Sequence, residues 1–368
     1  MRFKDSNEKI KLFKSAERKS SGEFLINRIY GEYETALSYK GEAKYYALEK
    51  LNAKRRNILK NIENKLEKEG YKSSVVVYFS SILELPGNEI SSVEDTTYLK
   101  EVLSSVSSKS KKVSLIISGL GGDMEAVIKF VRMIKKESQD GYFAIIPNIA
   151  KSGATVLALG ADEILMGMHS ELGPVDPQVS YNNIYMPANT YLNVYDDVAH
   201  NAKFTQKEHV IIPKQDEDRL YKKKLTDVDL ILLKICADSI EYERKNLSSI
   251  LENGSMKGKE KEEISSAVEK LIGGKLYTSH SSLIMYEDAS SLGLNVKLFA
   301  NDNPLWKLVE EYYVRAEAEM RINKLSKLFE SRKDSLRVAS AQSHEDGSVH
   351  DSTTQKAKAA PQKLQVKL

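Results

Sequence analysis

Residues 113–179 read VSLIISGLGGDMEAVIKFVRMIKKESQDGYFAIIPNIAKSGATVLALGADEILMGMHSELGPVDPQV. The stretch opens with a short β-branched run, VSLIIS (113–118), which has the character of a buried strand. Val127, Ile128, Val131 and Ile134 then recur at helical spacing over 122–137. GYFAIIP (141–147) predicts a third strand of the chain, 152–161 a short apolar helix and EILMG (163–167) a fourth strand. Upstream, SVVVYFSS (74–81) predicts the first strand and 95–107 a helix. Strand and helix alternate with connections too short for hairpin pairing, so the pattern calls for an α/β fold with a mainly parallel sheet flanked by helices.

Two strand ends in this stretch carry the chemistry. Ser118-Gly119-Leu120-Gly121-Gly122-Asp123 lies between a strand and a helix, where glycine lets backbone N–H groups turn outward toward an anion. Ala150-Lys151-Ser152-Gly153-Ala154 lies at a second such junction, which presents a serine at the C-terminal edge of the sheet. Together they suggest that Ser152 Oγ attacks a carbonyl while N–H groups of Gly153 and the Gly121–Gly122 turn hold the oxyanion. The pattern alone leaves a plainer reading open, in which the glycines serve packing and the serine caps a helix. Neither G-x-x-x-x-G-K-[ST] nor G-x-G-x-x-G is present, so the turn is not a nucleotide signature.

The rest of the chain frames this core. Of 368 residues, 41% are hydrophobic, enough for a sizeable core. Lys plus Arg (55) nearly balances Asp plus Glu (52), which excludes a dedicated nucleic-acid coat. Residues 1–70 are locally basic, 17 against 11, and Leu48, Leu51, Ile58, Ile62 and Leu66 place a helix over 40–69, ended by Gly70. Such a basic helical arm reads as a solvated face, with contact to an acidic partner or a membrane surface as the alternative. The N-terminus lacks an apolar signal core and no uncharged run of about 20 apolar residues occurs, so a cytoplasmic protein is expected. Cys236 lies in LILLKICAD and is expected to be a core thiol; no Cys/His cluster has metal-ligand spacing, and neither metal nor cofactor is expected. Residues 180–224, rich in Tyr, Asn, Lys and Asp, suggest an insertion or lid. Helices are expected over 226–252, 259–272 and 304–332, late strands at LYTS (276–279) and NVKLF (295–299), and a disordered tail from 334.

The stretch IISGLGGDMEAV … IAKSGATVLALGADEILMGMHSELGPVDPQV resembles the SDH family of Clp-fold serine proteinases, related to signal peptide peptidases and Clp proteases. GGKLYTSHSSLIMYEDASSLGLNVK (273–297) is also similar to that family. The resemblance implies a Clp/crotonase-like catalytic domain over 73–300. Flanking it would be a helical N-terminal region (1–72), a C-terminal helix (301–333) and a tail (334–368). It aligns Ser152 with the family nucleophile and Gly121, Gly122 and Gly153 with the oxyanion positions, and it places Leu120 where relatives have proline. No histidine stands in Pro174-Val175-Asp176-Pro177, where a Clp-type base would fall. The lysine of signal peptide peptidases would correspond to Lys203 first and Lys207 second, provided that burial leaves the amine neutral. His280, in YTSHSS, is the histidine alternative and His169 a weaker one. Asp176 would orient a base or line the pocket, and Lys151 is expected to point away from the serine.

The expected activity is a serine endopeptidase acting on polypeptides through an acyl-enzyme, assembled as a homo-oligomer, with peripheral membrane contact as an added expectation. The alternatives are a crotonase-type acyl-CoA enzyme and a non-catalytic scaffold.

Overall fold

A computed structural model describes residues 24–83, 85, 87–90, 94–106, 112–138, 141–181, 184–196, 230–272 and 279–340. In chain order the first elements are α1 (Leu25–Ser38), α2 (Glu42–Lys68), β1 (Ser73–Ser80), α3 (Asp95–Val106), β2 (Lys112–Ser118) and α4 (Met124–Glu137). Then come β3 (Tyr142–Ile146), β4 (Ile149–Ala150), α5 (Gly153–Leu159), β5 (Glu163–Gly167) and β6 (Glu171–Leu172). Next are β7 (Gln178–Tyr181), β8 (Ile184–Pro187), α6 (Ala188–Asp196), α7 (Leu230–Glu252) and α8 (Lys261–Leu271). The chain continues through α9 (Tyr286–Ser291), β9 (Val296–Phe299), α10 (Pro304–Ile322), β10 (Leu325–Ser331) and β11 (Ser335–Ala339). They divide into two compact units: Met1–Leu172 with Ile250–Gly258 and Leu283–Ser343, and Gly173–Ser249 with Lys259–Ser282 and His344–Leu368.

The first unit holds a seven-stranded sheet in the order β11-β10-β1-β2-β3-β5-β9. The run from β1 to β9 is parallel, as the alternation of elements requires, and β10 and β11 add two antiparallel pairings at one side. β1 is buried along its whole length, which is why its sequence is a continuous apolar run. Its side chains nevertheless separate by face: Val75, Val77 and Phe79 join a core with Ile58, Ile62, Leu66 and the α10 residues Val309 and Tyr312. Tyr78, on the other face, meets Phe130 of α4 edge-on at 5.7 Å between ring centroids. Gly70 closes α2 with φ +94 while the Tyr71 amide reaches back to the Leu66 carbonyl at 2.8 Å.

The C-terminal part differs from the sequence expectation. The helix expected to run to 332 ends at Ile322, and residues from 334, expected to be disordered, include strand β11. Lys324, at φ +50, turns the chain into β10, a strand whose seven residues are all buried although two carry charge. Lys327 Nζ binds Asp95 Oδ2 at 2.6 Å, and Glu330 receives a two-pronged Arg55 guanidinium at 2.8 and 2.9 Å. Tyr312 Oη donates to the same Glu330 carboxylate at 2.7 Å, and Arg55 also lies 3.3 Å from Glu319. Buried partners therefore turn residues that look solvent-seeking into core positions. The residues from 341 onward, 197–224 of the expected insertion, 226–229 of the helix expected over 226–252 and 276–278 of the expected LYTS strand lie outside the described residues.

The second unit contains the β7–β8 hairpin, α6, most of α7 and α8. The Val175 amide bonds the Leu271 carbonyl at 2.7 Å, and Arg244 joins α7 to α8 through Glu269. Cys236 is buried, as a core thiol should be.

The Arg55–Glu330 pair gives a stability test. Burial pushes the Glu330 carboxyl up, but the adjoining Arg55 guanidinium and the Tyr312 hydroxyl together outweigh burial and hold it below the ordinary carboxylate range. Its contribution is therefore present above the unfolded-state value and is lost as pH falls through the folded-state value. Arg55→Met, which strands the carboxylate, is expected to cost about 3–5 kcal/mol, read from urea unfolding near neutral pH. In the wild type the same method should show stability falling on acidification.

Candidate active site

The site in the first unit is made chiefly of backbone. At the end of β2, the Gly119 amide donates to the Ile149 carbonyl at 3.1 Å, and the Gly119 carbonyl accepts from Lys151 N–H at 3.0 Å. This bridge ties the glycine turn to the residues that lead into Ser152. On the outer side, Ile90 N–H donates to Gly121 O at 2.9 Å and its carbonyl accepts from Asp123 N–H at 3.1 Å. In such a parallel bridge the amide of the central residue, Gly122, faces away from Ile90.

That amide faces Gly153. A Cβ built on Gly153 would stand 3.1 Å from Gly122 N and 2.9 Å from Val127 Cγ2. A Cβ on Gly121 would stand 2.5 Å from Gly153 N, 2.8 Å from Lys151 O and 3.0 Å from Ser152 Cβ. On Gly122 it would meet Ile90 N at 2.2 Å. All three positions therefore need glycine for close approach, and Gly121 and Gly122 also have φ of +98 and +151. The structure thus brings Gly121, Gly122 and Gly153 together beside Ser152.

Ser152 occupies the junction before α5 with φ +49 and ψ −122. A non-glycine residue in such a region stores roughly 1–3 kcal/mol and is held there by its surroundings. The sharp strand-to-helix turn lifts the half-buried side chain, and its hydroxyl makes no capping bond to α5. The plainer reading of Ser152 as an N-cap is thereby set aside. Leu120, where a proline was the expected stiffener, is 39% exposed; the bonds at Gly119 and Gly121 hold the turn from both sides instead.

The second unit holds a polar cluster of its own. His280 Nδ1 lies 2.7 Å from Asp176 Oδ1, and Gln178 Nε2 donates to Asp176 Oδ2 at 2.6 Å. Asp176 is buried and His280 partly so. The Nδ1 contact with a carboxylate leaves Nε2 as the ring's acceptor, the tautomer that a base needs. Glu243, on α7, is pushed up to about 8, first by burial and then by the charge of Asp176, so it keeps its proton at neutral pH. Lys203 and Lys207 lie outside the described residues. His169 is exposed. The roles of Ile90 and Gln178 had no signal in the sequence, since one acts through its backbone and the other only by donating to Asp176. Among the described residues no group of His, Cys, Asp or Glu gathers as a metal site, and no helix is long and apolar enough to cross a membrane.

Gly121 and Gly258 both have positive φ, but a Cβ at Gly258 meets nothing within 4 Å. Gly121→Ala is therefore expected to destabilise the protein by about 1–3 kcal/mol more than Gly258→Ala, the added overpacking cost, in thermal or urea unfolding.

Residues 42–216 match the family described as ClpP-like SDH-type serine proteinase. Two uncharacterized proteins of Methanocaldococcus jannaschii are similar. One is 34% identical over 26% of this chain and 32% of its own length, the other 31% identical over 31% and 37%. The chain thus spans about a third of the length of these curated relatives. Among solved structures, a mutant of the 1510-N membrane-bound stomatin-specific protease is 16% identical, with 64% of this chain and 84% of that chain covered and a TM-score of 0.34. A second mutant of it, in complex with a substrate peptide, is 14% identical, with 67% and 99% covered and a TM-score of 0.25. With the parallel sheet, the glycine turn and the serine elbow in place, the chain is similar over residues 42–216 to the ClpP-like SDH-type serine proteinase family.

Proposed function

We propose that the protein is a serine endopeptidase that cleaves polypeptides through an acyl-enzyme on Ser152. The observation that carries this reading is the Ser152 hydroxyl at a positive-φ elbow next to the glycine-only contact of Gly121, Gly122 and Gly153. Ser152 Oγ adds to the peptide carbonyl, and the oxyanion is held by N–H groups of Gly153 and the Gly121–Gly122 turn. One such donor is typically worth about 3–4 kcal/mol in the transition state. The Oγ proton passes through a base to the departing amine, and water then releases the acyl group with the proton flow reversed. Leu120 is proposed to line the pocket beside Ser152, and Asp176 to orient a base. Assembly into a homo-oligomer and peripheral membrane contact through the basic N-terminal region are part of the same proposal.

For the base, downstream spacing nominates Lys203, then Lys207. The Asp176–His280 pair favours a second reading, because a carboxylate on Nδ1 fixes the imidazole as an acceptor at Nε2. An acyl-CoA enzyme of the crotonase type would work without the Ser152 hydroxyl, and a scaffold would have no use for its strained backbone.

A fluorophosphonate probe is expected to label the folded protein, and Ser152→Ala should abolish both labelling and peptide hydrolysis. Absence of label on folded wild-type protein would sink the peptidase reading. Hydrolysis lost in Lys203→Ala but kept in His280→Ala assigns the base to the lysine; the opposite pattern assigns it to the histidine.

A further inference from the structure

Lys151 immediately precedes Ser152 and is 7% exposed. A buried ammonium is costly unless polar partners receive it, so its presence in the first unit calls for a reason. Its side chain crosses to β6: Nζ lies 3.0 Å from the Leu172 carbonyl oxygen and 3.2 Å from Glu171 Oε1. Its backbone is committed in other directions. Its N–H donates to Gly119 O at 3.0 Å, and its carbonyl accepts from Ala154 N–H at 2.9 Å and Thr155 N–H at 3.4 Å. One residue thus joins the β2 turn, the first turn of α5 and strand β6.

The ladder between β4 and β6 is only two residues long, Ile149 with Glu171 and Ala150 with Leu172. It stops at Ala150, one residue short of Lys151. The lysine side chain takes over at that step, reaching the Leu172 carbonyl, which also accepts the Ile284 amide at 3.1 Å. The very next residue is Ser152 with φ +49. Strain of that kind persists only where neighbours over-determine the backbone.

We propose that Lys151 is a positioning residue for Ser152: its ammonium, clamped to the Leu172 carbonyl and the Glu171 carboxylate, holds the elbow in the conformation that presents the nucleophile. This rests on the reading of Ser152 as the nucleophile. The lysine touches no reacting atom in this role and does not exchange a proton; it acts on geometry. Glu171 supplies the counter-charge, and its loss weakens the clamp less than loss of the lysine, since the Leu172 carbonyl still receives Nζ.

The experiment compares fluorophosphonate labelling rates and crystal structures of wild type, Lys151→Met and Lys151→Arg. Lys151→Met keeps the length of the side chain and removes its donors. A displacement of the hydroxyl by about 1 Å can cost on the order of 10²-fold in rate, and a loss approaching that size is expected. Lys151→Arg restores a cation with donors for both acceptors and should recover most of the rate. In the Lys151→Met crystal structure Ser152 should leave its positive φ. Should the methionine variant not fold, Lys151→Gln, which lacks the charge, serves in the same comparison. Labelling of Lys151→Met at the wild-type rate, or equal loss in the methionine and arginine variants, overturns the proposal. Should the wild type itself take no label, the nucleophile reading fails separately. The crystal comparison then decides the clamp alone: an unchanged Ser152 backbone overturns it, and a relaxed one supports it.

Discussion

The backbone contact between the end of β2 and the residues entering Ser152 governs the site. Gly119 exchanges hydrogen bonds with Ile149 and Lys151, and this bridge brings Gly121 so close to Gly153 that a single added carbon would fall 2.5 Å from its amide nitrogen. Two chain segments that approach so closely can do so only without side chains at the contact. The parallel order β1-β2-β3-β5 sets their separation, because it places the turn after β2 and the connection after β3 at the same edge of the sheet. The fold thereby packs the backbone of Gly121 and Gly122 directly against that of Gly153.

A different physical device secures the far side of the same sheet. β10 runs antiparallel to β1 and brings Glu330 and Lys327 into the interior, each matched by a charge from a helix, Arg55 of α2 and Asp95 of α3. Such pairs add little net stability over an apolar alternative, but breaking one is expensive. They favour one register of β10 on β1, because a slip by one residue would move Glu330 to the other face and away from Arg55. The helices before the sheet and the strands after it are thus fixed to each other by charge as well as by the apolar core that contains Ile58, Phe79 and Leu328.

How much of this could be read from sequence depended on the kind of interaction. β1, β2, β3 and β5 announce themselves as short apolar runs, and α4 by helical spacing, because burial leaves a periodic mark. The glycine turn and Ser152 were legible because the absence of a side chain, or a serine at a strand end, is itself a signal. β10 was not: LSKLFES alternates charge and apolar residues in a way that fits a helix end as well, and only the partners Asp95 and Arg55, more than 200 residues upstream, make it a strand. Leu120 stands where relatives have proline, and the turn is held instead by main-chain bonds with Ile90, Ile149 and Lys151, which no residue type advertises. The pairing of Asp176 with His280 spans 104 residues and was legible only as two separate candidates.

The elbow also shows how local strain is offset by its neighbours. Holding Ser152 at positive φ costs roughly 1–3 kcal/mol. Around it, Lys151 N–H bonds Gly119 O, Ala154 N–H bonds Lys151 O, Val156 N–H bonds Ser152 O and Thr155 Oγ1 bonds Ala150 O. Each such bond contributes about 0.5–1.5 kcal/mol net, so together they offset the strain. None of them uses the Ser152 hydroxyl or the amides of Gly122 and Gly153. The groups that hold the bend and the groups proposed to react are different atoms of the same few residues, so under that proposal the turn is rigid without consuming its own chemistry.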